Sequence, residues 1–159
     1  MTAVLHSTTV RRIIKADPET VFEAFSKAEA LQKWFSPHPE ITLEVLEFQF
    51  WEGGTYRFRY SMRDGSTPVL GGRFERIKPH QKLAFTWTWE APDPHADIPT
   101  IVSIEFLARE GTTEIVLTHA QIPSEAIADR HAAGWEATFD HLETALFPKS
   151  QRTGSNEDA

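Results

Sequence analysis

Hydrophobic positions repeat every second residue in some stretches of this chain and follow helical spacing in others, and the switches mark its elements. In "STTVRRII" Val10 and Arg12 alternate with Arg11 and Ile13, which predicts a first strand over Thr8 to Ile14. Asp17 and Pro18 then have the chemistry of a helix N-cap and first helical residue. Val21, Phe22 and Phe25 make one helical stripe, and Ala28, Leu31, Trp34 and Phe35 make a second, so two short helices follow the strand. Pro37 and Pro39 end the second, since proline has no N–H to donate and drives its predecessor out of the helical region.

From Ile41 the period is two. Ile41, Leu43 and Val45 give way out of phase to Leu46, Phe48 and Phe50, which predicts a bulge or bend near Val45. Tyr56, Phe58, Tyr60 and Met62 oppose Arg57 and Arg59, and Asp64-Gly65 supplies a turn. Gly72 and Phe74 share a face of the next strand; Leu83, Phe85, Trp87 and Trp89 share a face of the one after. Thr100 to Ala108 and Thr113 to His119 complete seven strands, joined in meander order and read as antiparallel. Pro123 and Ser124 open a long helix carrying Ile127, His131, Trp135, Thr138, Leu142 and Leu146 at helical spacing, and Pro148 stops it. The expected architecture is α+β: a curved seven-stranded antiparallel sheet wrapped around a long C-terminal helix, with two short helices after the first strand. Residues 1–147 form one domain in this reading. The apolar pattern is lost over 148–159, which is expected to be a disordered tail.

Composition narrows the function. A length of 159 residues, 40% of them hydrophobic, suits a single core. The absence of cysteine excludes disulfides, thiolate metal sites and a cysteine nucleophile. A formal charge of -7 opposes nucleic acids and anionic lipid surfaces, and no apolar run reaches the roughly 20 residues of a bilayer span, so neither nucleic acid nor membrane is an expected partner. With no apolar centre of a secretory signal in "MTAVLHSTTVRR", a cytoplasmic location is expected. No HExxH pattern occurs, and His38, His80 and His95 lie in separate loops, so no metal site is expected. The pairs Gly53-Gly54 and Gly71-Gly72 lead into strands and form no phosphate cradle; they suit bent strands passing close to other backbone. The acidic runs Glu44 to Glu52 and Asp93 to Asp97 read as solvated charge. The proline-rich loop "EAPDPHADIP" is placed at a cavity entrance.

Taken in order, "ETVFEAFSKAEALQKWF", "EGGTYRF", "DG", "GGRFERIKPHQKLAFTW", "VSIEF", "GTTEIVLTH" and "GWEATFDHLETAL" resemble the family of homologues of the activator of the Hsp90 ATPase. That family is within the START-like, SRPBCC or birch-allergen-like helix-grip superfamily. The resemblance runs from Val10 to Leu146, and it implies a deep cavity between sheet and long helix. It also implies members that bind hydrophobic molecules, protect against toxic metabolites or assist the chaperone.

In that geometry the candidate cavity residues are Trp34, Phe35, Phe58, Tyr60, Met62, Phe74, Phe85, Trp87, Trp89, Phe106, Leu117, His119, His131, Trp135 and Phe139. Trp34 and Phe35 cap one end, with "WFSPHP" as a lid or wall. The rival reading has these rings filling the space as an ordinary core. His119 ends the inward row Thr113, Ile115, Leu117 and is the candidate general acid or base, or else a structural histidine bonded to backbone or to a helix residue. Gly134 either brings the helix near the sheet or leaves room for a ligand. Three functions follow: a monomer or homodimer that binds a small hydrophobic or aromatic molecule, needing no cofactor; a cyclase- or hydrolase-type enzyme using the same cavity; or a partner of a heat-shock chaperone. Binding is favoured because an aromatic pocket binds without chemistry, whereas catalysis needs a base with an orienting partner.

Overall fold

A computed structural model describes residues 4–148; the tail expected over 148–159 lies, apart from Pro148, outside the described residues. The strands β1 (His6–Ile14), β2 (Thr42–Phe48), β3 (Thr55–Ser61), β4 (Val69–Lys78), β5 (Lys82–Trp89), β6 (Thr100–Arg109) and β7 (Thr112–Ile122) form one antiparallel sheet. Their order is β1-β7-β6-β5-β4-β3-β2. Helices α1 (Pro18–Ser26) and α2 (Ala28–Trp34) follow β1, and α3 (Glu125–Leu146) is the last element among the described residues. This is the expected α+β helix-grip arrangement.

Local chemistry sets the boundaries. Asp17 caps α1, its carboxylate accepting the Thr20 N–H at 2.8 Å, with Pro18 at the first helical position. Ser124 caps α3 in the same way, its hydroxyl accepting from the Ile127 N–H at 3.2 Å. The expected bulge is present: the β2–β3 register shifts between Val45 and Glu47. A second register shift lies in β4, between Phe74 and Arg76. Earlier in the same strand, a Cβ at Gly72 would collide with the Thr86 carbonyl oxygen and the Tyr56 ring, so only glycine allows the approach.

Strand β3 alternates cleanly, with Tyr56, Phe58 and Tyr60 buried. Arg57 and Arg59 lie outside, paired with Glu90 at 2.8 Å and Glu44 at 2.7 Å. In β1, Arg12 turns toward α3 and leaves Ile13 exposed. Its guanidinium meets Glu143 at 2.7 Å, Asp140 at 2.9 Å and Glu136 at 3.0 Å, clipping the edge strand to the helix. Burial works against that charge, but the three carboxylates outweigh it and hold the Arg12 pKa above its ordinary value.

Helices α1 and α2 fill one end of the gap between sheet and α3. Phe22 and Phe25 pack edge to face on Phe106, with centroids 5.3 and 5.2 Å apart. Trp34 is fully buried beside Phe25, and its indole N–H donates to the Ala24 carbonyl at 2.9 Å, fixing α2 against α1.

Candidate functional site

The other end of the gap is hollow. A cavity of about 240 Å³ lies between β3, β5, the segment after α2 and the first half of α3. Phe35, Tyr60, Trp87, Trp89 and Trp135 supply its aromatic wall, with Met62 and Ile41 beside them. Ser36 and Pro37 continue the wall, so the "WFSPHP" segment does border the cavity, beginning at Phe35. Pro68 from the β3–β4 hairpin, Asp93 from the loop after β5 and the exposed Arg130 place loop and polar groups on its lining.

Seven of the fifteen sequence-selected residues line this space: Phe35, Tyr60, Met62, Trp87, Trp89, His131 and Trp135. The others do not reach it. Trp34 is sealed between α1 and α2 by its bond to Ala24, so it fills the core there and caps no opening. Phe106 is held by Phe22 and Phe25. Phe58, Phe74 and Phe85 surround a separate void of about 20 Å³, room for little beyond a single water-sized sphere. Leu117 and Phe139 are fully buried core. His119 is fully buried behind the aromatic wall.

His119 has both ring nitrogens engaged. The Trp135 indole N–H donates to Nδ1 at 3.1 Å, so the proton of the neutral ring is on Nε2. That Nε2–H donates to the Thr100 hydroxyl at 2.8 Å, and Thr100 in turn donates to the Trp87 carbonyl at 2.8 Å. Burial, and then the neighbouring His131, push the His119 pKa down to about 3. A ring sealed from the cavity and bonded at both nitrogens orients Trp135 and β5. It has no free nitrogen with which to move a substrate proton.

His131 lies over this ring, with centroids 4.3 Å apart, and faces the cavity half-buried. Burial, then the charges of His95 and Arg130, lower its pKa, so it is neutral at neutral pH. The phenol of Tyr60 is held well above its ordinary pKa by burial and stays protonated. The Trp87 indole is 8% exposed, and its N–H has no hydrogen-bond partner among the described residues. Such an orphan is uncommon in a folded interior and costs roughly 1–3 kcal/mol while it stays unpaired.

The sequence reading did not single out Arg130 or Thr138 for the cavity, and it reached Ser36 and Asp93 only through the segments "WFSPHP" and "EAPDPHADIP" that it placed at the cavity. Arg130, Gly134 and Thr138 form an i, i+4, i+8 stripe beside the His131–Trp135 stripe, and that helical spacing is the signal for two of them. Asp93 was grouped with solvated charge, yet it lines the cavity. Ser36 is pinned to α3 by His141, whose Nδ1 lies 3.1 Å from the Ser36 carbonyl oxygen and 3.3 Å from its hydroxyl. The pair resembles a nucleophile with its base but is set the wrong way. Nδ1–H donates to the carbonyl, and the Ser36 hydroxyl donates to the His38 carbonyl at 2.9 Å. Among the described residues no cluster of histidines and carboxylates is arranged to hold a metal ion, and no helix is long and apolar enough to cross a membrane.

A curved sheet gripping one long helix, with a chamber left between them, defines the helix-grip class. Within it, the chain belongs to the family described as Activator of Hsp90 ATPase homolog 1-like protein, whose model matches residues 15–146. A Chromobacterium violaceum protein of known crystal structure is similar, with a TM-score of 0.80 at 24% identity over 90% of this chain and 98% of its own. The AHSA1 protein of Silicibacter pomeroyi gives 0.77 at 22% identity over 89% and 97%. A Mycobacterium smegmatis protein gives 0.76 at 14% identity over 93% and 92%. At these identities the likenesses carry the fold alone. No curated protein matches the chain.

Proposed function

We propose that the protein binds a small apolar or aromatic molecule between the sheet and the first half of α3. The observation that carries this reading is the cavity of about 240 Å³ walled by five aromatic side chains. A dry cavity of about 150 Å³ is enough to admit benzene, so this one suits a ring with a short substituent, or a small bicycle. Burying such a molecule on aromatic walls is favourable by about 25 cal/mol per Å² of apolar surface removed from water, before the costs of association are subtracted.

Binding rather than turnover fits the wall chemistry. Proton transfer needs a base within hydrogen-bond reach of substrate and an orienting partner for that base. His119 is spent on Trp135 and Thr100, and His141 on the Ser36 carbonyl. The test uses isopropylbenzene as the probe and tryptophan fluorescence as the readout. A saturable change is expected with the natural protein and none with Gly134→Leu, whose side chain would occupy the chamber. An unchanging spectrum up to the solubility limit of the probe would remove the proposal.

A further inference from the structure

Two tyrosines share the inner face of β3, and their hydroxyls are treated differently. Tyr56 and Tyr60 are both buried, at 2% and 5% exposure. Tyr56 donates its hydroxyl proton to the Thr86 carbonyl at 2.6 Å. The Tyr60 hydroxyl makes no hydrogen bond among the described residues and keeps some accessible surface. The Trp87 N–H is unpaired as well, but it is sealed and no guest reaches it.

The Tyr60 hydroxyl opens on the chamber. Tyr60 lines that space and neither of the two smaller voids. A strand side chain stands roughly perpendicular to its sheet, which carries the hydroxyl, its outermost atom, from β3 toward α3. The other hydroxyl protons on the lining are spent: Ser36 donates to the His38 carbonyl at 2.9 Å and Thr138 to the Gly134 carbonyl at 2.7 Å. The His131 ring is divided between the chamber and a void of about 10 Å³ beside Thr100 and Ile127. A guest that is hydrocarbon throughout displaces water from the Tyr60 hydroxyl and leaves it unpaired, whereas one that brings an acceptor offsets that loss.

The charges on the lining restrict what the acceptor is. Asp93 and Arg130 bring one of each sign, and His131 is uncharged near neutral pH. No net charge is left over to offset a buried ion, which is far costlier than a buried neutral oxygen. We infer that Tyr60 is the residue by which the chamber selects its guest, a small aromatic molecule whose neutral carbonyl or hydroxyl oxygen accepts the Tyr60 O–H. The inference rests on the binding reading above, and the test separates the two.

Isopropylbenzene, acetophenone and benzoate have the same number of non-hydrogen atoms and nearly the same shape, and they offer no acceptor, a neutral one and an anionic one. Affinities are measured near neutral pH for the natural protein and for Tyr60→Phe, which removes the hydroxyl and keeps the ring. The ratio of acetophenone to isopropylbenzene affinity is expected to fall about five-fold in the variant, the worth of one buried neutral hydrogen bond. Taking a ratio cancels the different hydration of the two probes. Benzoate is expected to bind the natural protein most weakly. An unmoved ratio, or benzoate binding more tightly than acetophenone, overturns the Tyr60 inference and leaves the binding reading intact. If none of the three binds the natural protein, both fall. Denaturant unfolding supplies a second readout: Tyr56→Phe, which strands the Thr86 carbonyl, is expected to unfold at a lower denaturant concentration than Tyr60→Phe. A Tyr60→Phe protein that loses as much stability as Tyr56→Phe, or fails to fold, would show that the Tyr60 hydroxyl already has a partner in the protein, and the inference would fall.

Discussion

At one end of the gap between sheet and α3, Trp34 is fully buried, its N–H is satisfied by Ala24, and the rings of Phe25 and Phe106 meet edge to face. At the other end Trp87 and Trp89 border about 240 Å³ of space, and one of their N–H groups has no partner. Residue class does not distinguish the ends, because both are rich in tryptophan and phenylalanine. Coverage does. Two extra helices are folded into the first end, so three layers of side chain interdigitate there. The second end is covered by α3 and the segment after α2 with no further helix folded in, and α3 presents Gly134, where nothing lies within 4 Å of a would-be Cβ. An aromatic side chain becomes core or wall according to whether a second element arrives to fill the space facing it.

The largest effect follows from breaking the filled end. Trp34→Ala removes a fully buried indole and strands the Ala24 carbonyl, and a loss of about 4 kcal/mol in urea unfolding is expected. Trp89→Ala removes the same side chain from a half-buried wall that already faces space, where its main ring neighbours are Tyr60 and Trp87 at 5.9 Å. A loss below about 2 kcal/mol is expected there. Equal losses would mean that the two ends are packed alike and that the hollow is not a property of the folded protein.

His119 joins the two ends, holding the cavity-wall Trp135 from within the solid part of the sheet, and its titration offers the next test. Its folded pKa, about 3, lies below the ordinary histidine value of 6.5. The unfolded chain therefore takes up a proton that the native state refuses, and native stability falls as the pH drops from about 6.5 toward 3. The sign is that of a depressed group: the contribution is complete above the unfolded pKa and lost as acid approaches the folded one. By about pH 5 this amounts to roughly 2 kcal/mol. The groups packed against the ring are Thr100, Trp87, Trp135 and His131, and His131, also depressed, adds to the same slope. His119→Gln keeps an acceptor for Trp135 and a donor for Thr100, and should flatten the fall between neutral pH and about pH 5 in denaturant titrations. A slope unchanged by that substitution would show that folding does not depress the His119 pKa.

The fold was legible almost to the residue, because strand alternation, the Asp17 and Ser124 caps and the phase change at Val45 are local signals and the structure obeys each of them. The site was half legible. Alternation identifies which side chains face inward, and Phe58, Phe74 and Phe85 do so as surely as Tyr60 and Trp87. It does not say how far along the sheet α1 and α2 extend, and that distance separates filling from wall. Asp93 was legible only as part of its loop, which was placed at the cavity entrance; that its own carboxylate turns to the cavity and not to solvent depends on how the loop folds back, which no periodicity encodes. Gly134 carried a signal with two meanings, close approach or vacancy, and the open surroundings of its Cα select vacancy.

The smallest expected effect is also the most diagnostic, since it moves two quantities in opposite directions. Gly134 is in the interior of α3, where alanine is worth about 1 kcal/mol over glycine in helix propensity alone. At a packed position the added methyl would collide and reverse that gain. Here it enters the chamber and meets nothing, so Gly134→Ala should raise the unfolding free energy by up to about 1 kcal/mol. The same methyl occupies space a ligand would use and faces the ring of any guest lying against Trp135, so the affinity for isopropylbenzene should decrease in the same protein. A variant that is both less stable and a weaker binder would indicate a helix already pressed against the sheet. One that is more stable and binds as before would place the guest away from this half of α3. Only the opposed pair of changes is what a vacant chamber beside a side-chain-free turn of helix requires.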